Sequence, residues 1–165
     1  MTMPFILASS SETRANMLRA AGLSVEIAPA RVDEAAIKAA LLAEGAPARD
    51  IADALAEAKA RRIGQKRPDA IVLGADQVLV CNDVLFDKPD TIEMARDQLE
   101  RLRGQRHVLL SAAVIFHEGR PIWRHIGRAE LVMRDFSDSF LEDYLGRDGS
   151  NLFATVGAYR LEYRG

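Results

Sequence analysis

Cysteine is nearly absent: Cys81 is the only one in 165 residues. An intrachain disulfide is therefore excluded, and a thiolate-built zinc or iron–sulfur site has no support. Net charge is nearly absent too. Lys and Arg number 22 against 24 Asp and Glu, a formal −2, so the basic excess of a protein that coats nucleic acid is missing. No apolar run approaches the roughly 20 residues that span a bilayer. The opening Met1-Thr-Met-Pro-Phe-Ile-Leu-Ala-Ser-Ser has no basic stretch before its apolar residues, so it does not read as a signal peptide. A reduced, cytoplasmic protein that engages neither membrane nor nucleic-acid polymer is the expectation. P-loop, dinucleotide-fingerprint and G-x-S-x-G motifs are all lacking. His107, His117 and His125 follow neither H-x-H nor H-E-x-x-H spacing and read as structural. With only 6% aromatics, Trp123 reads as a core residue rather than a stacking platform.

What is present is an ordinary globular composition, 48% hydrophobic and 28% charged, at a length that suits one domain over residues 1–165. Phe5–Ala8 is a short apolar strand pattern. It is followed by serines, of which Ser11 (or Thr13) can cap a helix ending at Gly22. Residues 24–27 alternate like a second strand. Residues 35–63 are alanine-rich and read as two helices broken near Gly45-Ala-Pro47, with Asp50 a candidate cap. Ala70–Val80 is the most hydrophobic run, and a hairpin at Asn82-Asp83 returns through Val84–Phe86. Asp90-x-x-Glu93 resembles a capping box for a helix that Gly104 ends. Residues 107–116 and 122–133 form a long hairpin pattern, residues 137–145 a short helix, and Val156–Leu161 a last strand. Hairpins mixed with crossovers predict an α/β or α+β fold around a mixed sheet.

Four features can carry chemistry, and each also has a structural reading. Ser9, Ser11 and Arg14 sit where a strand enters a helix, an arrangement that can cradle phosphate or simply cap the helix. Asp33-Glu34 can supply oxygen ligands to Mg²⁺ or Mn²⁺ or mark an exposed helix start. Lys59 lies on an alanine-rich helix and can equally be a solvated side chain. Asp76 interrupts the greasiest stretch of the chain. A buried, unpaired carboxylate costs several kcal/mol, so a metal, a cation or hydrogen bonds must compensate it. Lys59 and Lys88 are the candidate partners.

The order of these features is more specific than any one of them. Leu7-Ala-Ser-x-Ser11-x-x-Arg14, Asp33-Glu34, Leu55-Ala-x-x-Lys59-Ala60, Gly74-Ala-Asp76, Lys88-Pro89, Leu102-x-Gly104-x-x-His107 and Gly157-Ala-Tyr159 resemble the Maf family of nucleotide pyrophosphatases, historically tied to septum formation. The resemblance covers essentially the whole chain. It implies a fold like that of inosine triphosphate pyrophosphatase, with an elongated mixed sheet, flanking helices and two lobes around a cleft. The implied activity is hydrolysis of a nucleoside triphosphate to monophosphate and pyrophosphate with a divalent cation, Mg²⁺ or Mn²⁺. A homodimer is compatible with it. By the same resemblance Asp76 is the general base on the attacking water, Glu34 a carboxylate associated with catalysis and, with Asp76, with the metal, and Lys59 and Lys88 face the phosphates. Ser9, Ser11 and Arg14 match the phosphate-binding turn. The other reading is a nucleotide-binding regulator of cell division with little turnover.

Three departures bear on the base. Thr13 stands where the family usually has an arginine, which implies weaker substrate binding or a different base preference. Gln77 follows the aspartate where the pyrimidine-preferring branch has Thr, and Glu162 stands where that branch has Gln. A carboxylate accepts two hydrogen bonds and matches the N–H edge of guanine, whereas an amide suits uracil or thymine. Thr13, Gln77 and Glu162 are thus the expected base-selecting positions. The last two resemble the branch that cleaves 7-methyl-GTP. Family members also continue well past the Gly-Ala-Tyr segment, so the resemblance implies that the C-terminal end of the family domain lies outside this sequence.

Overall fold

Phe5-Ile6-Leu7 has no polar residue to show to solvent on either face. In the computed structural model, which describes residues 2–161, it forms β1 (Phe5–Leu7), flanked by a strand on each side. The segment Glu26–Ile27 is β2 and the long run Ile71–Cys81 is β3, both parallel to β1. The chain reverses at Asn82 (φ 49°) and Asp83 (φ 62°) into β4 (Val84–Phe86), antiparallel to β3. Arg106–His117 is β5 and Arg120–Val132 is β6, joined at Glu118 and Gly119, again with positive φ. His117 reaches the Ala70 carbonyl while Cys81 reaches that of Arg106, so β5 runs antiparallel to β3. Strand order is β2-β1-β3-β5-β6, with β4 on β3. The expected mixed α/β sheet is thus present.

The chain forms two compact units. The first comprises residues up to Asp76 together with Ser111–Gly127. Here α1 (Glu12–Ala20) is capped by the Ser11 hydroxyl, which accepts from Arg14 N, and α2 (Glu34–Ala43) by Asp33, which accepts from Ala36 N. The 17-residue α3 (Ala48–Gly64) starts at Pro47 without a side-chain cap. Asp50, the expected cap, instead lies in its first turn, where a carboxylate favours the helix dipole. The buried face of α3 includes Ile51, Ala52, Leu55, Ala56, Ala60 and Ile63, a 3.6-residue stripe. Its small residues let it lie close on β3, and Gly74 completes the fit. A Cβ there would collide with the Ala56 carbonyl and stand 2.6 Å from Ala60 N. Ile6, Ala8, Ile63, Ala70 and Val72 form the core beneath.

The second unit comprises Gln77–Leu110 and the chain from Arg128 onward. Leu79, Phe86, Leu102, Leu109 and Tyr159 form one cluster, and Ala95, Leu99, Leu141, Tyr144 and Leu152 another. The helices are α4 (Ile92–Leu102) and α5 (Asp138–Asp148), capped by Thr91 and Ser137. The cap of α4 is one residue later than the Asp90 box predicts, because the Thr91 hydroxyl takes Met94 N. The expected last strand at Val156–Leu161 is absent. Val156–Ala158 is a 3₁₀ turn in which Gly157 (φ 80°) and Ala158 (φ 58°) are left-handed, a conformation that breaks an extended run. At Gly157 a Cβ would stand 2.7 Å from Leu79 Cδ1, so a side chain there would require its neighbours to shift. Trp123 is not a core residue: it is half exposed on β6, stacked on His125.

Candidate active site

The first unit brings together six of the seven predicted residues that it contains. The close seat of α3 on β3 brings Lys59 to Asp76, and the Lys59 ammonium donates to Asp76 Oδ1 at 2.7 Å. The same ammonium pairs with Glu34 at the start of α2. Asp76 and Lys59 keep only 12% and 13% of their side chains exposed, whereas Glu34 keeps 50%. The compensating cation for the acid in the greasy strand is therefore Lys59.

Arg14 completes the constellation from α1. Its Nη1 donates to Ser9 Oγ and to the Ala75 carbonyl, each at 3.1 Å. Ser9 Oγ also accepts from Ser11 N, so the turn is bound together by one buried hydroxyl. Ser11 does cap α1, as its structural reading expected. Two carboxylates and two cations are thereby concentrated around one point of β3.

Burial pushes the Asp76 carboxyl above its ordinary range; Lys59 pulls it back, Glu34 adds to the rise and Arg14 opposes it. Burial likewise lowers the Arg14 guanidinium, against the attraction of Asp76 and Glu34, and it stays a cation at any physiological pH. A carboxylate with a raised pKa is a stronger proton acceptor than a free aspartate.

Glu34 and Asp76 face the same ammonium with hard oxygen donors. Among the described residues no cluster of three or more His, Cys, Asp or Glu side chains could enclose a metal. This donor set fits an ion such as Mg²⁺, which is commonly held by one or two carboxylates and completed by substrate phosphates.

Thr13 is exposed in the first turn of α1. Gln77 and Lys88 are exposed and belong to the second unit, and Glu162 lies outside the described residues. His107 and Tyr159, from two of the late motifs, meet in the second unit: Nε2 and the phenol oxygen are 2.6 Å apart.

Two residues escaped the sequence reading. Arg124 of β6 grips Asp53 and Glu57 of α3, anchoring the helix that carries Lys59; at 71 residues' separation from Asp53 nothing local signals it. Gln98 is buried on α4, and its signal was available as an amide within the Ala95-Leu99-Leu102 stripe.

A family model described as Maf-like protein matches residues 4–165. The chain belongs to that family. It is 53% identical over 165 residues to a nucleoside triphosphate pyrophosphatase of Ruegeria pomeroyi, covering 100% of this chain and 83% of the relative. A nucleoside triphosphate pyrophosphatase of Rhodospirillum rubrum is 47% identical over 159 residues, 96% of this chain and 79% of its own. A 7-methyl-GTP pyrophosphatase of Brucella abortus is 42% identical over 162 residues, 98% of this chain and 81% of its own.

Proposed function

We propose that this protein is a nucleoside triphosphate pyrophosphatase, hydrolysing its substrate to a monophosphate and pyrophosphate. The carrying observation is the part-buried Asp76 held by Lys59 with Glu34 and Arg14 close by, in a chain of the Maf-like family. Asp76 takes a proton from water as the water oxygen bonds to the α-phosphorus. The bond from that phosphorus to the bridging oxygen breaks, and pyrophosphate leaves with the electron pair. Lys59, Lys88 and Arg14 meet the charge of the phosphates, and the Ser9–Ser11 turn orients them.

Glu34 and Asp76 would hold the divalent cation, Mg²⁺ or Mn²⁺, which when bound neutralises phosphate charge and acidifies water. A guanine-type base such as that of 7-methyl-GTP is favoured by the carboxylate type at Glu162 and by Gln77 in place of Thr, with Thr13 as the third selecting position. No helix among the described residues is long and apolar enough to cross a membrane. Cytoplasmic residence and a homodimer complete the reading, to be checked by fractionation and sedimentation.

Pyrophosphate release from a nucleotide panel with Mg²⁺ or Mn²⁺ tests the activity. Release by the wild type should fall about 10³-fold in Asp76→Asn. Tight nucleotide binding without release above that variant would instead support the regulator reading. A best kcat/KM for UTP or dTTP would overturn the base assignment.

A further inference from the structure

The inner stripe of α4 runs Ala95, Gln98, Leu99, Leu102, all buried. An amide in such a stripe costs stability unless its polar atoms are used. Gln98 keeps 7% exposure, and its Nε2 donates to the main-chain carbonyl of Asp87 at 2.7 Å. Asp87 opens a five-residue segment, 87–91, outside helix and strand. It follows β4, whose last residue, Phe86, is buried, and its third residue, Pro89, is fully buried. Asp87 and Lys88 stand between these anchors, both exposed. Proline after Lys88 confines its backbone to extended conformations, and Gln98 secures the preceding peptide. A lysine so mounted reaches a phosphate without ordering its own loop first, which preserves binding energy.

We infer that Gln98 is a positioning residue for Lys88, fixing the main chain from which that ammonium meets the substrate's phosphates. The inference rests on the proposed role of Lys88. It goes beyond it in assigning a task to a residue that touches no substrate.

Four proteins test it: wild type, Lys88→Ala, Gln98→Met and the double variant, each assayed for kcat and KM, with thermal melts to confirm folding. Met keeps length and volume but has no donor, and Gln98→Leu serves if Gln98→Met does not fold. Gln98→Met should lower kcat/KM roughly tenfold, altering the same parameter as Lys88→Ala. In the Lys88→Ala background it should have less than about a twofold further effect. Equal losses in both backgrounds, or no loss in the single variant, would overturn the positioning role while leaving Lys88 in place. A silent Lys88→Ala would instead remove the proposed role of Lys88 itself and this inference with it.

Discussion

Around Asp76 the first unit holds two carboxylates and two cations, all but Glu34 substantially shielded from water. The second unit's buried polar side chains include neutral Gln98, His107 and Tyr159, each bonded to a neutral partner. Burial favours the uncharged form in both sets, with opposite consequences. At Asp76 it favours the uncharged form, so the ionised base is kept at a cost to the fold. At His107 it lowers the imidazole pKa, and at Tyr159 it pushes the phenol up to about 12; both are then neutral over the working range. The first arrangement suits proton transfer and anion binding, and the second suits holding a shape.

The comparison is broken most severely at its charged end. Asp76→Asn should reduce kcat about 10³-fold, yet its melting temperature should be held or raised, because the desolvated carboxylate is removed. A matching fall in stability would show that Asp76 is instead a structural ion-pair member. In the wild type, kcat/KM should fall on acidification at a pH above the ordinary aspartate value of about 3.9. The sign follows from the raised pKa: the base is ionised only above it.

Lys59→Met leaves Asp76 and Glu34 facing one another without their shared cation. It should destabilise the protein by about 3 kcal/mol in chemical denaturation and move the acid limb of activity to higher pH. Gly74→Ala tests the seat of α3 without touching charge; overpacking against Ala56 and Ala60 should cost about 2 kcal/mol, with activity falling as Lys59 is displaced from Asp76.

The smallest effects belong to the neutral set. Tyr159→Phe should cost about 1.5 kcal/mol by stranding His107 Nε2 and leave the pH profile of activity unmoved. His107 also gives stability a pH dependence of its own. Its folded pKa is lowered, so its contribution is full above about 6.5 and is lost as pH falls towards the lowered value. His107→Gln should flatten that slope in melts taken between neutral and mildly acidic pH.

Local pattern made much of this legible. The hairpin at Asn82-Asp83, the break between α2 and α3, the cap at Ser11 and the helix start at Asp33-Glu34 all follow from turn, cap and dipole chemistry acting over a few residues. Asp76 announced itself because an acid in an apolar run demands compensation. Legibility failed where the deciding contact is remote. Val156–Leu161 has strand-like residues, but its backbone turns left-handed at Gly157 and Ala158, where Gly157 packs against the distant Leu79. Trp123 has a core-type side chain, yet β6 lies at the end of the strand order and leaves it half exposed.

The order of side chains along the polymer was enough to determine a mixed sheet, an acid needing a cation and membership of a pyrophosphatase-like family. Which cation answers that acid was decided by tertiary structure. Lys59 and Lys88 were equal candidates on paper, and the alanine face of α3 meeting Gly74 selected Lys59. Composition and spacing express which groups must be partnered, but a close approach of two backbones is a property of packed volume, and only the folded chain has one.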